Sequence, residues 1–122
     1  MSAFVLWIDH EHANAFALTD GAIHKTSVEA RHQEHHTHRE TSFDREDRAK
    51  KMYGEAAKLL SHAEQVLVVG PGLAKHHFTN YLAEHLPALY RKVAGCENMD
   101  HPTDRQIRAF AEKYFARQAQ TT

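Results

Sequence analysis

Val66-Leu67-Val68-Val69-Gly70-Pro71-Gly72-Leu73-Ala74-Lys75 is the stretch on which the fold turns. Gln65 to Val69 is a short run rich in β-branched residues, the signature of a buried strand. Gly70-Pro71-Gly72 breaks that strand, and a helix follows from about Ala74 to Leu86. Phe78, Tyr81 and Leu82 form its inward face, and Pro87 is expected to end it. A strand, a tight glycine turn and a helix are half of an α/β unit, so the neighbouring segments decide the rest.

Upstream, Thr41 or Ser42 can cap a long helix whose first turn holds Asp44, Glu46 and Asp47. Ala49, Met52, Tyr53, Ala56, Leu59, Leu60 and Ala63 then recur at helical spacing. Downstream, Leu89 to Glu97 is expected to form another strand. His101-Pro102 forces an extended bend, and Thr103 with Gln106 makes a capping box for the last helix. That helix carries Ile107, Phe110, Ala111, Tyr114 and Phe115 as its core stripe, and Gln118 to Thr122 is a polar tail expected to fray.

The beginning of the chain completes the pattern. Phe4 to Ile8 is nearly continuous in apolar residues and ends at Asp9, which points to a central strand buried on both faces. His12 to Leu18 supplies a second strand, Asp20-Gly21 a hairpin turn, and Ala22 to Val28 a weaker third strand. The expected order is therefore βββαβαβα. The fold class is α/β, a ribonuclease-H-like mixed sheet with the first strand in the middle and helices packed on the sheet. One domain spanning 1–122 is expected, because 122 residues support one hydrophobic core but not two.

Bulk properties narrow the function. Apolar residues make up 42% and charged residues 25%, as in ordinary globular proteins. The formal net charge of -1 gives no general basic field for nucleic acid. Histidine is the anomaly, with 12 copies, so any attraction for phosphate should strengthen on mild acidification. Cys96 is the single cysteine, which excludes an internal disulfide and fits a reducing compartment. No signal peptide or membrane-spanning run is recognisable, and a cytoplasmic location is expected.

Two segments carry a family resemblance. Val66 to Lys75, followed by Phe78 and Tyr81-Leu82, resembles the strand, GPG turn and helix in the central domain of Pelota and the archaeo-eukaryotic peptide-chain release factors. Asn98-Met99-Asp100-His101-Pro102-Thr103-Asp104 is similar to a segment of small bacterial proteins labelled translational machinery proteins. With the strand order, the resemblance covers nearly the whole chain. It implies a domain that faces transfer RNA on the ribosome. Release factors use a GGQ loop here to promote peptidyl-tRNA hydrolysis; this chain has no GGQ. The counterpart of that loop is Arg31 to Thr41, so the resemblance implies contact and not release.

That segment, Arg31-His32-Gln33-Glu34-His35-His36-Thr37-His38-Arg39-Glu40-Thr41, contains no apolar residue and is expected to be a mobile, histidine-rich surface loop. Arg31, His35, His36, His38 and Arg39 are candidate RNA contacts, joined by Arg45 and Arg48 on the first long helix and Lys75 beside the GPG turn. The plainer readings are a solvated loop and a turn whose glycines only permit tight geometry. His32, His35, His36 and His38 are alternatively candidate zinc or nickel ligands; otherwise no cofactor is expected. Arg91-Lys92 and Arg105 with Arg108 are interspersed with acids and fit a solvated surface equally well.

The acidic residues raise a nuclease alternative. Asp9, Glu97, Asp100 and Asp104 are the candidate ligands of a two-metal site, which needs carboxylates converging on both the attacking and leaving oxygens. Against this, the fourth strand ends in Gly70 where such a mechanism wants a carboxylate, and Asp9 can equally serve as a turn residue bonding the backbone that follows. Asp100, His101 and Asp104 can equally fix a bend and cap a helix. Cys96 is expected in the core. The expectation is a non-enzymatic, translation-associated domain whose partner is the ribosome or transfer RNA. A homodimer through the edge of the weak third strand is the alternative partner, and no membrane is involved.

Overall fold

A computed structural model describes residues 2–19, 22–30 and 42–121, excluding the side chains at 19, 22–23, 42–45 and 120–121. The Asp20-Gly21 turn and the segment 31–41 lie outside the described residues. The elements are β1 (Ala3–Ile8), β2 (His12–Thr19), β3 (Ala22–Glu29), α1 (Ser42–Leu59), β4 (Gln65–Gly70), α2 (Ala74–His85), α3 (Pro87–Tyr90), β5 (Val93–Asn98) and α4 (Asp104–Thr121). They build a five-stranded mixed sheet in the order β3-β2-β1-β4-β5. β1 is central, antiparallel to β2 and parallel to β4, and β5 continues the parallel half.

The apolar run in β1 is explained by burial on both faces. Leu6 and Ile8 point to one side, where Val66 and Val68 of β4 meet Met52, Ala56 and Leu60 of α1 and Phe78 and Leu82 of α2. Val5 and Trp7 point to the other side, against Phe16, Leu67, Val69 and the α4 residues Ile107 and Ala111. A strand has a side-chain period of two, so only a strand covered on both faces needs apolar residues at successive positions. α1 and α2 thus cover one face and α4 the other.

Two boundaries differ from those the sequence predicts. Pro87 does not simply end a helix; it opens the short α3, because its fixed φ and missing N–H suit the first turn of a new helix. The strand expected from Leu89 therefore begins only at Val93. α4 runs to Thr121. Its stripe is also narrower than expected, since Phe110 is 36% exposed. Ile107 and Ala111 rest on the sheet, whereas Phe110 falls beside Glu97 and Tyr114, at the margin where the sheet ends in β5.

The capping box forms as its spacing demands. Gln106 N donates to Thr103 Oγ1 at 3.2 Å, and Thr103 N donates back to Gln106 Oε1 at 2.8 Å. Thr103→Ala is expected to lower stability by about 1 kcal/mol, because it removes an acceptor for an otherwise orphaned helix N–H. Urea unfolding measures this; a change below a few tenths of that figure means water replaces the cap without loss.

Candidate functional site

Parallel strands deliver their following loops to a common end. β1 ends at Asp9, β4 at the GPG turn and β5 at Asn98-Met99-Asp100-His101. The antiparallel pairing of His12 with Glu29 brings the start of β2 and the end of β3 to the same place. Ala30 N donates to Glu11 O at 2.8 Å, so the chain departs toward residue 31 from this end. α1 has its last turn near the opposite end, where Glu64 N donates to Ser2 O at 2.8 Å, so its first turn points back. In open α/β sheets the carboxyl ends of the strands, near a change of strand direction, are the usual ligand-facing region.

Histidines collect there. His10 and His12 follow β1, His76 and His77 lie in the first turn of α2, and His101 follows β5; all five are exposed. The sequence reading left these aside as functional groups, apart from His101. The available signal was positional: each stands within a few residues of a strand end or of the GPG turn.

The geometry around them is fixed by a few bonds. Asp9 Oδ1 accepts from Glu11 N at 2.9 Å and His12 N at 2.6 Å, so Asp9 serves as the turn residue. His12 lies 3.5 Å from Asp9 and 3.8 Å from Glu29. Trp7, buried under α4, sends its indole N–H out to Asp100 O at 2.9 Å. That bond pins the segment after β5, and the His101 ring packs beside Trp7, tilted by 48° with centroids 5.6 Å apart. Met99 N donates to Gly70 O at 3.1 Å, tying the same segment to the GPG turn.

The four carboxylates read as a nuclease set share this end but do not converge. Asp9 is committed to its turn. Asp104 pairs with Lys25 of β3 at 3.2 Å, and Asp100 stands 3.7 Å from His101. Glu97 is exposed in a cleft with Phe110, Tyr114 and Arg117. Among the described residues no three His, Cys, Asp or Glu side chains gather in a way that suits a metal ion.

Lys75 corrects an expectation. It is 2% exposed, and its ammonium donates to Gly72 O instead of facing solvent. Ala74, Lys75, Phe78 and Leu82 form the buried stripe of α2, and position 75 stands one turn before Phe78 on it. The spacing was visible; the carbonyl that satisfies the ammonium was not. Arg48 is half-buried on α1, and the side chain of Arg45 lies outside the described residues. Arg31, His32, His35, His36, His38 and Arg39 also lie outside them.

Cys96 is half-buried and packs against the core on the face covered by α1 and α2. Its sulfur stands 3.8 Å from His76 Nδ1. Burial pushes its thiol pKa up; the nearby Lys75 charge opposes this and Glu97 adds to it. A thiol raised in this way stays protonated near neutrality and is no activated nucleophile. The described part of the site presents exposed imidazoles on backbone turns held in place by Asp9 and by the buried Trp7.

The comparisons with known proteins agree with this architecture. The chain matches no family model. It is 33% identical over 93 residues to a protein pelota homolog of Methanocaldococcus jannaschii, a match covering 73% of this chain and 25% of that protein. It is 38% identical over 58 residues to the pelota homolog of Pyrococcus furiosus, covering 43% and 16%. The chain thus spans about a quarter or less of the length of these curated relatives. Archaeoglobus fulgidus Pelota superimposes with a TM-score of 0.65 at 20% identity, over 92% of this chain and 31% of that one. An archaeal translation termination factor, aRF1, does so with a TM-score of 0.57 at 16% identity, over 98% and 40%. No helix among the described residues is long and apolar enough to cross a membrane. This chain is a Pelota-like domain in sequence and in fold, and its fold is shared with the archaeal termination factor.

Proposed function

We propose that this domain works in translation by contacting RNA, on the ribosome or in transfer RNA, through the carboxyl end of its parallel strands. The observation that carries this reading is the gathering of His10, His12, His76, His77 and His101 at the end from which the chain departs toward 31–41. Imidazoles stack on unpaired bases, and when protonated they attract phosphate. Arg31, His35, His36, His38 and Arg39 of the adjoining segment, with Arg45 and Arg48 of α1, are the further candidate contacts in this reading. Relatives named as Pelota homologues and as a translation termination factor supply the translational context.

The test is binding of the purified protein to transfer RNA and to ribosomes at low and physiological salt. The wild type is compared with a chain whose residues 31–41 are replaced by a short Gly-Ser linker, and with the variant H10A/H77A/H101A. Saturable binding that survives physiological salt and weakens about tenfold or more in both variants is expected, because several contacts to phosphate and base are lost together. Binding that is absent, or unchanged in both variants, overturns the proposal.

A further inference from the structure

The opposite end of the molecule carries a second surface of different character. An open groove of about 640 Å³ runs between the last turns of α1 and α2 and the short α3. Ala57, Leu86, Pro87 and Leu89 give it an apolar floor and wall. Gly54 widens it: a Cβ there would stand 3.3 Å from the Tyr81 hydroxyl. Leu86 is 39% exposed, so the apolar lining is open to solvent.

The charged lining is of one sign. Lys58 and Lys92 border the groove, His85 stands beside them, and among the described residues no carboxylate lines it. His85 is paired with Glu84 at 3.6 Å, but Lys58 and Lys92 have no ion-pair partner among the described residues. Lys58 stands in the last turn of α1, where a cation offsets the partial negative charge of the helix end. Lys92 lies outside the helices, so that explanation does not cover it. Apolar surface rimmed by unpaired cations complements a ligand with apolar and anionic faces.

We propose that this groove binds an acidic amphipathic segment of a partner protein, which lays its apolar side chains on Ala57, Leu86 and Leu89 and sets carboxylates against Lys58 and Lys92. An open trough between helices suits a helix or extended segment, whose apolar residues recur along one face. Rim charges of this kind select the partner and speed its approach, while the apolar contacts hold it. The proposal does not depend on RNA contact, since the groove lies at the amino end of the parallel strands.

The test uses the whole ¹⁵N-labelled chain and two synthetic amphipathic helical peptides. Both carry the same leucine face; the polar positions are Glu in one and Lys in the other. Amide shifts on titration should map to Gly54, Leu86 and Leu89, and the Glu peptide should bind about tenfold tighter than the Lys peptide, the sum of two modest ion pairs. The variant K58E/K92E should reverse that order, and K58M/K92M should abolish it. All four side-chain changes are on exposed positions, and an unchanged melting temperature verifies folding. Equal binding of both peptides, shifts mapping elsewhere, or no binding by either overturns the proposal.

Discussion

Gly70→Ala is expected to destabilise the domain by more than about 3 kcal/mol, beyond the reach of an ordinary surface substitution. Gly70 closes β4 with φ +154°, a conformation that L side chains rarely adopt. A Cβ built there stands 2.1 Å from Ile8 O and 3.1 Å from Ile8 C. Both are backbone atoms of the central strand, which is packed on two faces and cannot withdraw. Gly72, two residues on, provides the internal control. Its φ of +59° also favours glycine, but a Cβ there meets nothing within 4 Å. Gly72→Ala should therefore show only the left-handed backbone penalty, about 1–2 kcal/mol. Chemical denaturation of the two variants separates the effects. If they lose equal stability, the close approach to Ile8 is not what makes Gly70 necessary. Gly70 also accepts the bond from Met99 N, so G70A should shift the amide resonances of the segment bearing His101.

Gly95→Ala is the second large effect, expected at about 2–3 kcal/mol. Here the obstacle is a side chain. A Cβ on Gly95 stands 2.1 Å from the Tyr114 hydroxyl oxygen and 2.9 Å from Cζ, so the tyrosine must move. Its present position is well supported: the hydroxyl donates to Ala94 O at 3.0 Å and accepts from Gln118 Nε2 at 3.2 Å. Phe115 packs edge-on against its ring at 5.7 Å. Moving Tyr114 breaks a bond that satisfies a carbonyl of β5, the edge strand of the sheet. Tyr114→Leu removes both the hydroxyl and the ring atoms that a Cβ would strike. In that background Gly95→Ala should be close to neutral, giving a coupling of about 2 kcal/mol in the double-mutant cycle. Additive losses would place the cost of G95A in the strand backbone and not in the contact with Tyr114.

These two glycines also divide what was legible from what was not. The GPG turn marked Gly70 in the sequence, because a Gly-Pro-Gly break after a β-branched run needs a special backbone. Gly95 carried no such signal. Its need arises because α4, nineteen residues further on, lays Tyr114 across β5, a contact between elements adjacent only in space.

The site divides in the same way. Asp9 was placed correctly at a strand end, and its alternative role as a turn residue is the one its bonds display. Lys75, a candidate RNA contact beside the GPG turn by sequence, is buried because Gly72 O lies within reach of its ammonium. The histidines after three different elements were unremarkable in a list, since nothing local joins His10, His77 and His101.

By itself, the sequence determined the fold class, the central place of β1, the GPG break and the capping box at Thr103. Each is written in local periodicity or in the backbone demands of a few adjacent residues. Only the tertiary structure decided that Pro87 begins a helix, that Phe110 stays exposed, that Lys75 turns inward, and that scattered histidines share one end of the sheet. Those outcomes depend on which elements become neighbours. Parallel pairing of β1, β4 and β5 creates neighbours tens of residues apart, and no local pattern records them.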